Sequence, residues 1–111
     1  MYSVSDNTVR WVDVMETSFE SAYNLAPFVN QLELSPKTQK RAQAILVAAE
    51  RTSLTARKAP ASLMAAALYI AGILEGERRT QLMIGRVTGV STTTIQTRYR
   101  ELVHGLDIRS E

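Results

Sequence analysis

The sequence predicts an all-α fold: a bundle of five helices that closes in a helix-turn-helix, with a further helix at the N-terminus. Three observations carry this prediction. Apolar residues recur at helical spacing along most of the 111-residue chain. No run of alternating β-branched residues appears, so no strand is expected. Each of the three prolines, Pro27, Pro36 and Pro60, stands where a helix would begin.

The elements follow in order. Trp11, Val14, Met15, Phe19, Ala22 and Tyr23 recur at helical spacing, and Ser5, Asp6 or Asn7 would cap the start, so a helix is expected over about 8–23. Trp11 is read as a packing residue. The first 25 residues form an N-terminal extension to a domain over 26–111. Ala26-Pro27 opens a short helix to about Glu33. Ser35-Pro36 pairs a cap with a first-turn proline and opens a longer one to about Arg51, with Ala42, Ile45, Leu46 and Ala49 inward. Lys37, Lys40 and Arg41 crowd its first turns, where the macrodipole disfavours cations; an external anion would relieve them, although a tolerated surface cluster would look the same. Thr52–Ala59 reads as a loop. Pro60–Leu74 is apolar on nearly every face and too short to span a bilayer, so it is the central helix, stopped by Gly76.

Composition narrows the function. Hydrophobic residues make up 45% and charged residues 22%, as in an ordinary globular domain. The chain has no cysteine, which excludes disulfides, thiolate zinc and a cysteine nucleophile, and His104 has no second histidine to share a metal. No cofactor is expected. The polar N-terminus does not look like a signal peptide and no apolar run reaches membrane length, so an intracellular protein without a membrane partner is expected. Glu75 and Glu77 sit at a helix end among arginines and suggest no catalytic pair; an enzyme is not expected. The net charge is only +2, yet residues 36–100 hold eleven bases and three acids. Such a concentration is what a polyanion binder requires, although a solvated basic surface would look the same.

The basic segment contains the motif. Thr80 caps a short helix from Gln81 to about Thr88, in which Gly85 is small where a second helix must cross closely. Gly89 supplies a positive φ at the turn, Val90 fills the angle between the helices, and Ser91 caps the second helix. Ile95, Tyr99 and Leu102 then face the core at i, i+4 and i+7. The motif thus covers 80–102, extending to about 104, at the spacing of a DNA-binding helix-turn-helix. Ser91, Thr92, Thr93, Gln96 and Thr97 face outward and are small or amide-bearing. They suit a helix deep in a major groove: Gln96 to read an adenine, the Thr93 methyl to touch a thymine methyl. Arg78, Arg79, Arg86, Arg98 and Arg100 surround this face and would neutralise phosphates of double-stranded DNA.

Several stretches together resemble a known family. Met64-Ala65-Ala66-Ala67-Leu68-Tyr69-Ile70-Ala71, Arg78-Arg79-Thr80-Gln81, Ile84-Gly85, Gly89-Val90-Ser91, Thr94-Ile95 and Tyr99-Arg100 are similar to the second cyclin-like repeat of transcription initiation factor IIB, above all in its archaeal form. Phe28-Val29-Asn30-Gln31-Leu32-Glu33-Leu34 resembles the first helix of that repeat. The resemblance covers about 26–108. It implies a five-helix cyclin fold and binding to promoter DNA already bent by the TATA-binding protein, with the last two helices in the major groove beside the TATA box. Carried onto this chain, it implies base reading by Ser91, Thr93 and Gln96, and phosphate contacts by Arg79, Thr80, Arg98 and Arg100. Gln96 departs from the arginine the family often carries there. The family's zinc ribbon and first repeat are missing from these residues, so the chain reads as an excised fragment or a divergent stand-alone protein. Any contact with RNA polymerase would run through those parts. The location implied is the nucleoid in archaeal cytoplasm, or the nucleus in a eukaryote. Two rival readings stay open: a dimeric helix-turn-helix regulator, and a cyclin-like protein-interaction module that binds no DNA.

Overall fold

Proline has no amide proton to leave unpaired at a helix start, and Pro27, Pro36 and Pro60 each stand in the first turn of a helix. The structure, a computed structural model, describes residues 2–4 and 23–110. Within them run α1 (Ala26–Gln31), α2 (Pro36–Arg51), α3 (Pro60–Leu74), α4 (Gln81–Thr88) and α5 (Thr92–Gly105). The helix expected over 8–23, with Trp11 and Phe19, lies outside the described residues except for Tyr23, which is irregular and packs partly buried against the core.

The all-α class holds, with one addition that the sequence does not announce. Strand β1 (Tyr2–Val4) pairs antiparallel with β2 (Ile108–Ser110), setting Tyr2 opposite Ser110 and Val4 opposite Ile108. Three residues are too few for alternation to register as a pattern. The ribbon joins the two ends of the chain.

α3 is the axis of the fold. A helix apolar all round must be covered all round, and α3 packs against α2, α4 and α5. Ser62, Leu63 and every residue from Ala65 to Gly72 are buried. Its alanines Ala65, Ala66, Ala67 and Ala71 are all buried, and α2, which packs against it, is alanine-rich too and buries Ala42, Ala44, Ala48 and Ala49 beside Ile45 and Leu46. Small side chains on both partners let the backbones approach, and the leucines and isoleucines fill what remains. α3 stops as expected: Gly76 adopts φ +75° and the Glu77 amide returns to the Gly72 carbonyl at 2.7 Å.

The connection from α3 to α4 is where tertiary structure adds most. Glu77 reaches the start of α2, where its Oε1 accepts from the Ser35 amide (3.1 Å), the Ser35 hydroxyl (2.7 Å) and the Thr38 hydroxyl. Hydrogen bonds from Thr38 and then Ser35, aided by the nearby Arg79 charge, outweigh desolvation and lower the Glu77 pKa from 4.5 to about 2. Two residues on, Arg79 donates to the carbonyls of Leu32 (2.9 Å) and Glu33 (3.1 Å) just past the end of α1. It also donates to the Glu77 and Arg78 carbonyls at 3.2 and 3.3 Å. One short loop thus delivers an anion to a helix start and a cation to a helix end, each matching the partial charge it meets. The anion at the basic start of α2 is thus not the external one that the sequence suggests but a carboxylate of the chain itself, brought there by the loop after α3. Arg41 is neutralised separately by Glu75, at 2.8 Å.

Candidate nucleic-acid interface

Local chemistry builds α4–turn–α5 as the sequence predicts. The Thr80 side chain accepts from the Met83 amide at 3.1 Å and opens α4. Gly89 closes it in the left-handed region, φ +76°, with its amide on the Gly85 carbonyl at 2.8 Å. The Ser91 hydroxyl accepts from the Thr94 amide at 3.1 Å and opens α5. Ile95 and Leu102 are buried, and Tyr99 meets Tyr69 of α3 edge to face, 5.3 Å between ring centroids. One detail is sharper than expected. What crowds Gly85 is the turn rather than the second helix: a Cβ there would lie 2.7 Å from the Val90 carbonyl oxygen and 3.7 Å from the Ile95 Cδ1.

The polar face of α5 stands outward. Ser91, Thr92, Thr93 and Thr97 are exposed and Gln96 is half-buried. Their hydrogen-bonding capacity is unequal. Ser91 is engaged twice, since besides capping the helix it donates to the Thr94 hydroxyl at 2.9 Å. Thr97 donates to the Thr93 carbonyl at 3.0 Å, which occupies its hydroxyl proton. Thr93 shows no side-chain hydrogen bond among the described residues. The Gln96 Oε1 accepts from the Nε2 of Gln81, the first residue of α4. Sequence reasoning missed Gln81, because the pair is fifteen residues apart and carries no periodic signal.

The five arginines divide into two groups. Arg86 and Arg100 are exposed and make no hydrogen bond or ion pair among the described residues. Arg78 is exposed and touches only the Tyr69 hydroxyl, at a long 3.4 Å. Thr80, also exposed, keeps its hydroxyl proton free, since its cap bond uses only the oxygen. Arg79 is the clamp on the end of α1. Arg98 turns back toward α3, donating to Ser62 Oγ at 3.3 Å and to Glu101 at 2.7 Å, with its side chain 22% exposed. Lys58 joins the same carboxylate at 3.1 Å. Desolvation raises the Glu101 pKa, but the bonds from Lys58 and Arg98 outweigh it and hold it below the usual range. Arg79 and Arg98 therefore hold the motif onto the bundle, while Arg78, Arg86, Arg100 and Thr80 remain turned to solvent.

Among the described residues no group of histidines and carboxylates could hold a metal ion, and no helix is long and apolar enough to cross a membrane. Glu75 and Glu77 are both committed to α2. His104 lies in the last turn of α5.

The transcription factor TFIIB repeat matches this chain over residues 15–105. A transcription initiation factor IIB of Pyrococcus horikoshii is 50% identical over 82 residues, which cover 74% of this chain and 27% of that protein. The protein of the same name from Pyrodictium occultum is 51% identical over 80 residues, covering 72% of this chain and 26% of the relative. That of Methanopyrus kandleri is 41% identical over 99 residues, covering 89% and 32%. The chain spans about a third or less of the length of these relatives. With its five described helices and terminal helix-turn-helix, it belongs to the TFIIB repeat family.

Proposed function

We propose that this chain binds promoter DNA as the C-terminal cyclin-like repeat of an archaeal general initiation factor, beside the TATA box and together with the TATA-binding protein. One observation carries the reading. The exposed start of α5 offers small and amide side chains without bulk, and Arg78, Arg86 and Arg100, on and just before the same two helices, stand exposed with charges that no carboxylate of the described chain neutralises. A helix so furnished enters a major groove with its N-terminal turns toward the base edges and cations toward the phosphates. The relatives' name, initiation factor IIB, supports placing that groove at a promoter.

Within this reading Thr93 and Gln96 contact bases, with Ser91 contributing the helix start that seats them. Arg78, Arg86, Arg100 and Thr80 take phosphates, and Arg79 and Arg98 act indirectly by fixing the motif to α1 and α3. The TATA-binding protein enters as the agent that bends the DNA. The test is a gel shift on a TATA-containing duplex: weak retardation by the chain alone, and much tighter binding once the TATA-binding protein is added. Equal affinity with and without that protein would refute the general-factor reading.

A further inference from the structure

We infer that Glu101 is an internal counter-ion that withholds Lys58 from the DNA backbone and so limits how tightly the chain holds DNA of any sequence. The inference rests on the proposed entry of α5 into the major groove.

Glu101 is a carboxylate in an unfavourable place. From Gln81 to Gly105, across both helices of the motif, it is the only acidic residue. It lies four residues after Thr97 and three before His104, both exposed, so it borders the outward face of α5. A helix about 10–12 Å across fills a major groove about 12 Å wide, and residues beside its outward face then stand against the phosphate walls. A bare carboxylate there would be repelled. Stability does not account for it: the Glu101 side chain is 37% exposed, and ion pairs so open to water contribute little to folding.

What the carboxylate holds accounts for it. Its Oε1 accepts from the Arg98 guanidinium at 2.7 Å and pairs with the Lys58 ammonium at 3.1 Å. The two cations are not equivalent. Arg98, one turn back on α5, also donates to Ser62 and belongs to the attachment of the helix to α3. Lys58 comes from the loop between α2 and α3, and its ammonium meets no other partner among the described residues. That loop is seated along the end of α5: the Leu54 side chain occupies the space that a Cβ on Gly105 would take, one turn beyond Glu101. The loop thus delivers Lys58 to the flank of α5, where Glu101, anchored by Arg98, stops it.

Paired in this way, Lys58 brings no net charge to the DNA and displaces no counter-ion from it. Attraction to phosphates supplies nearly all binding that ignores sequence. Glu101 therefore subtracts one phosphate contact from every duplex alike, and leaves the base contacts of the helix start untouched. Glu101→Gln keeps the shape and still offers Arg98 an acceptor, so it frees Lys58 without detaching α5.

The test compares the wild type, Glu101→Gln, Lys58→Met and the double variant, with melting curves to confirm that each is folded. Fluorescence anisotropy over a salt series measures binding to a TATA-containing duplex with the TATA-binding protein, and to a duplex of unrelated sequence by the chain alone. Glu101→Gln should bind both duplexes about fivefold tighter or more at about 0.1 M salt, with the slope of log K against log salt steeper by about 0.9. Lys58→Met should stay within about twofold of the wild type, and in the double variant most of the gain should vanish.

A gain from Glu101→Gln that persists in full without Lys58 would show that Glu101 acts only by its own repulsion, and would overturn the inference. So would unchanged binding in Glu101→Gln, or a slope shallower by about 0.9 in Lys58→Met, which would place Lys58 on a phosphate already. Each of these outcomes leaves the proposed function standing. Wild-type binding to the TATA duplex that gains nothing from the TATA-binding protein would refute the general-factor reading alone. A wild type that binds neither duplex would refute both.

Discussion

Glu77 places three hydrogen bonds on one carboxylate oxygen and closes the N-terminus of α2 from a residue 39 to 42 positions away. Its pKa is lowered in the folded chain, to about 2 from 4.5, so it contributes stability above the unfolded value that is lost as pH falls through the folded one. Glu77→Gln cannot ionise. The variant should melt below the wild type at pH 6, and the gap should close as pH drops from about 4.5 toward 2. Thermal melts by circular dichroism across that range check it; a gap independent of pH would show that the charge plays no part. The arginines invite a parallel comparison. Arg100→Ala should leave the melt within about 0.5 kcal/mol of wild type while reducing the salt slope of DNA binding by about one. Arg79→Ala strips four carbonyls of their donor and should destabilise by about 1–3 kcal/mol. Both are arginines beside the same motif, and only their partners tell them apart.

At the scale of the element, the helix-turn-helix separates cleanly into scaffold and surface. Ser91 belongs to both, since it caps α5 and lies at the proposed base-facing end. Ser91→Ala should cost about 1 kcal/mol as a lost cap. Ser91→Asp keeps the cap and adds a negative charge where DNA would approach, so its melt should stay near wild type while DNA binding falls. Loss of both together would mean that the start of α5 acts through stability alone. Gly89→Ala forces a Cβ into the left-handed region at about 1–2 kcal/mol and should weaken binding by loosening the turn. These features were legible because each is local: a cap, a positive φ and an i, i+4, i+7 seam lie within a few residues of one another. α3 was legible for the same reason, and its bounds fall at Pro60 and Leu74 as expected. The inward turn of Arg98 onto Ser62 was not, because nothing near it in sequence announces a partner 36 residues back.

Across the molecule, the core of the described residues is one cluster around α3, running from Leu25 in the approach to α1 through Ile108 in β2. Stability should therefore depend on buried position rather than on hydrophobicity as such. Leu68, 1% exposed at the centre of α3, should cost about 2–5 kcal/mol when cut to alanine. Leu82, 55% exposed on α4, should cost about 0.5 kcal/mol or less. Urea unfolding monitored by helicity measures both, and similar losses would mean that α4 is covered in the working molecule.

Local residue chemistry alone carries the all-α class, the order and most of the bounds of the described helices, the caps, the glycine turn and the family. Each of these rests on residues close together in the chain, or on a pattern repeated with a helical period. Tertiary structure decided which charges are committed and which are free: Glu77 on α2, Arg79 on α1, Arg98 on α3, Gln81 on Gln96, and Arg86 and Arg100 left to solvent. A charged side chain reads the same in sequence whether it holds two helices together or waits for a phosphate. Only packing brings the distant carbonyl, hydroxyl or carboxylate within 3 Å or so of it.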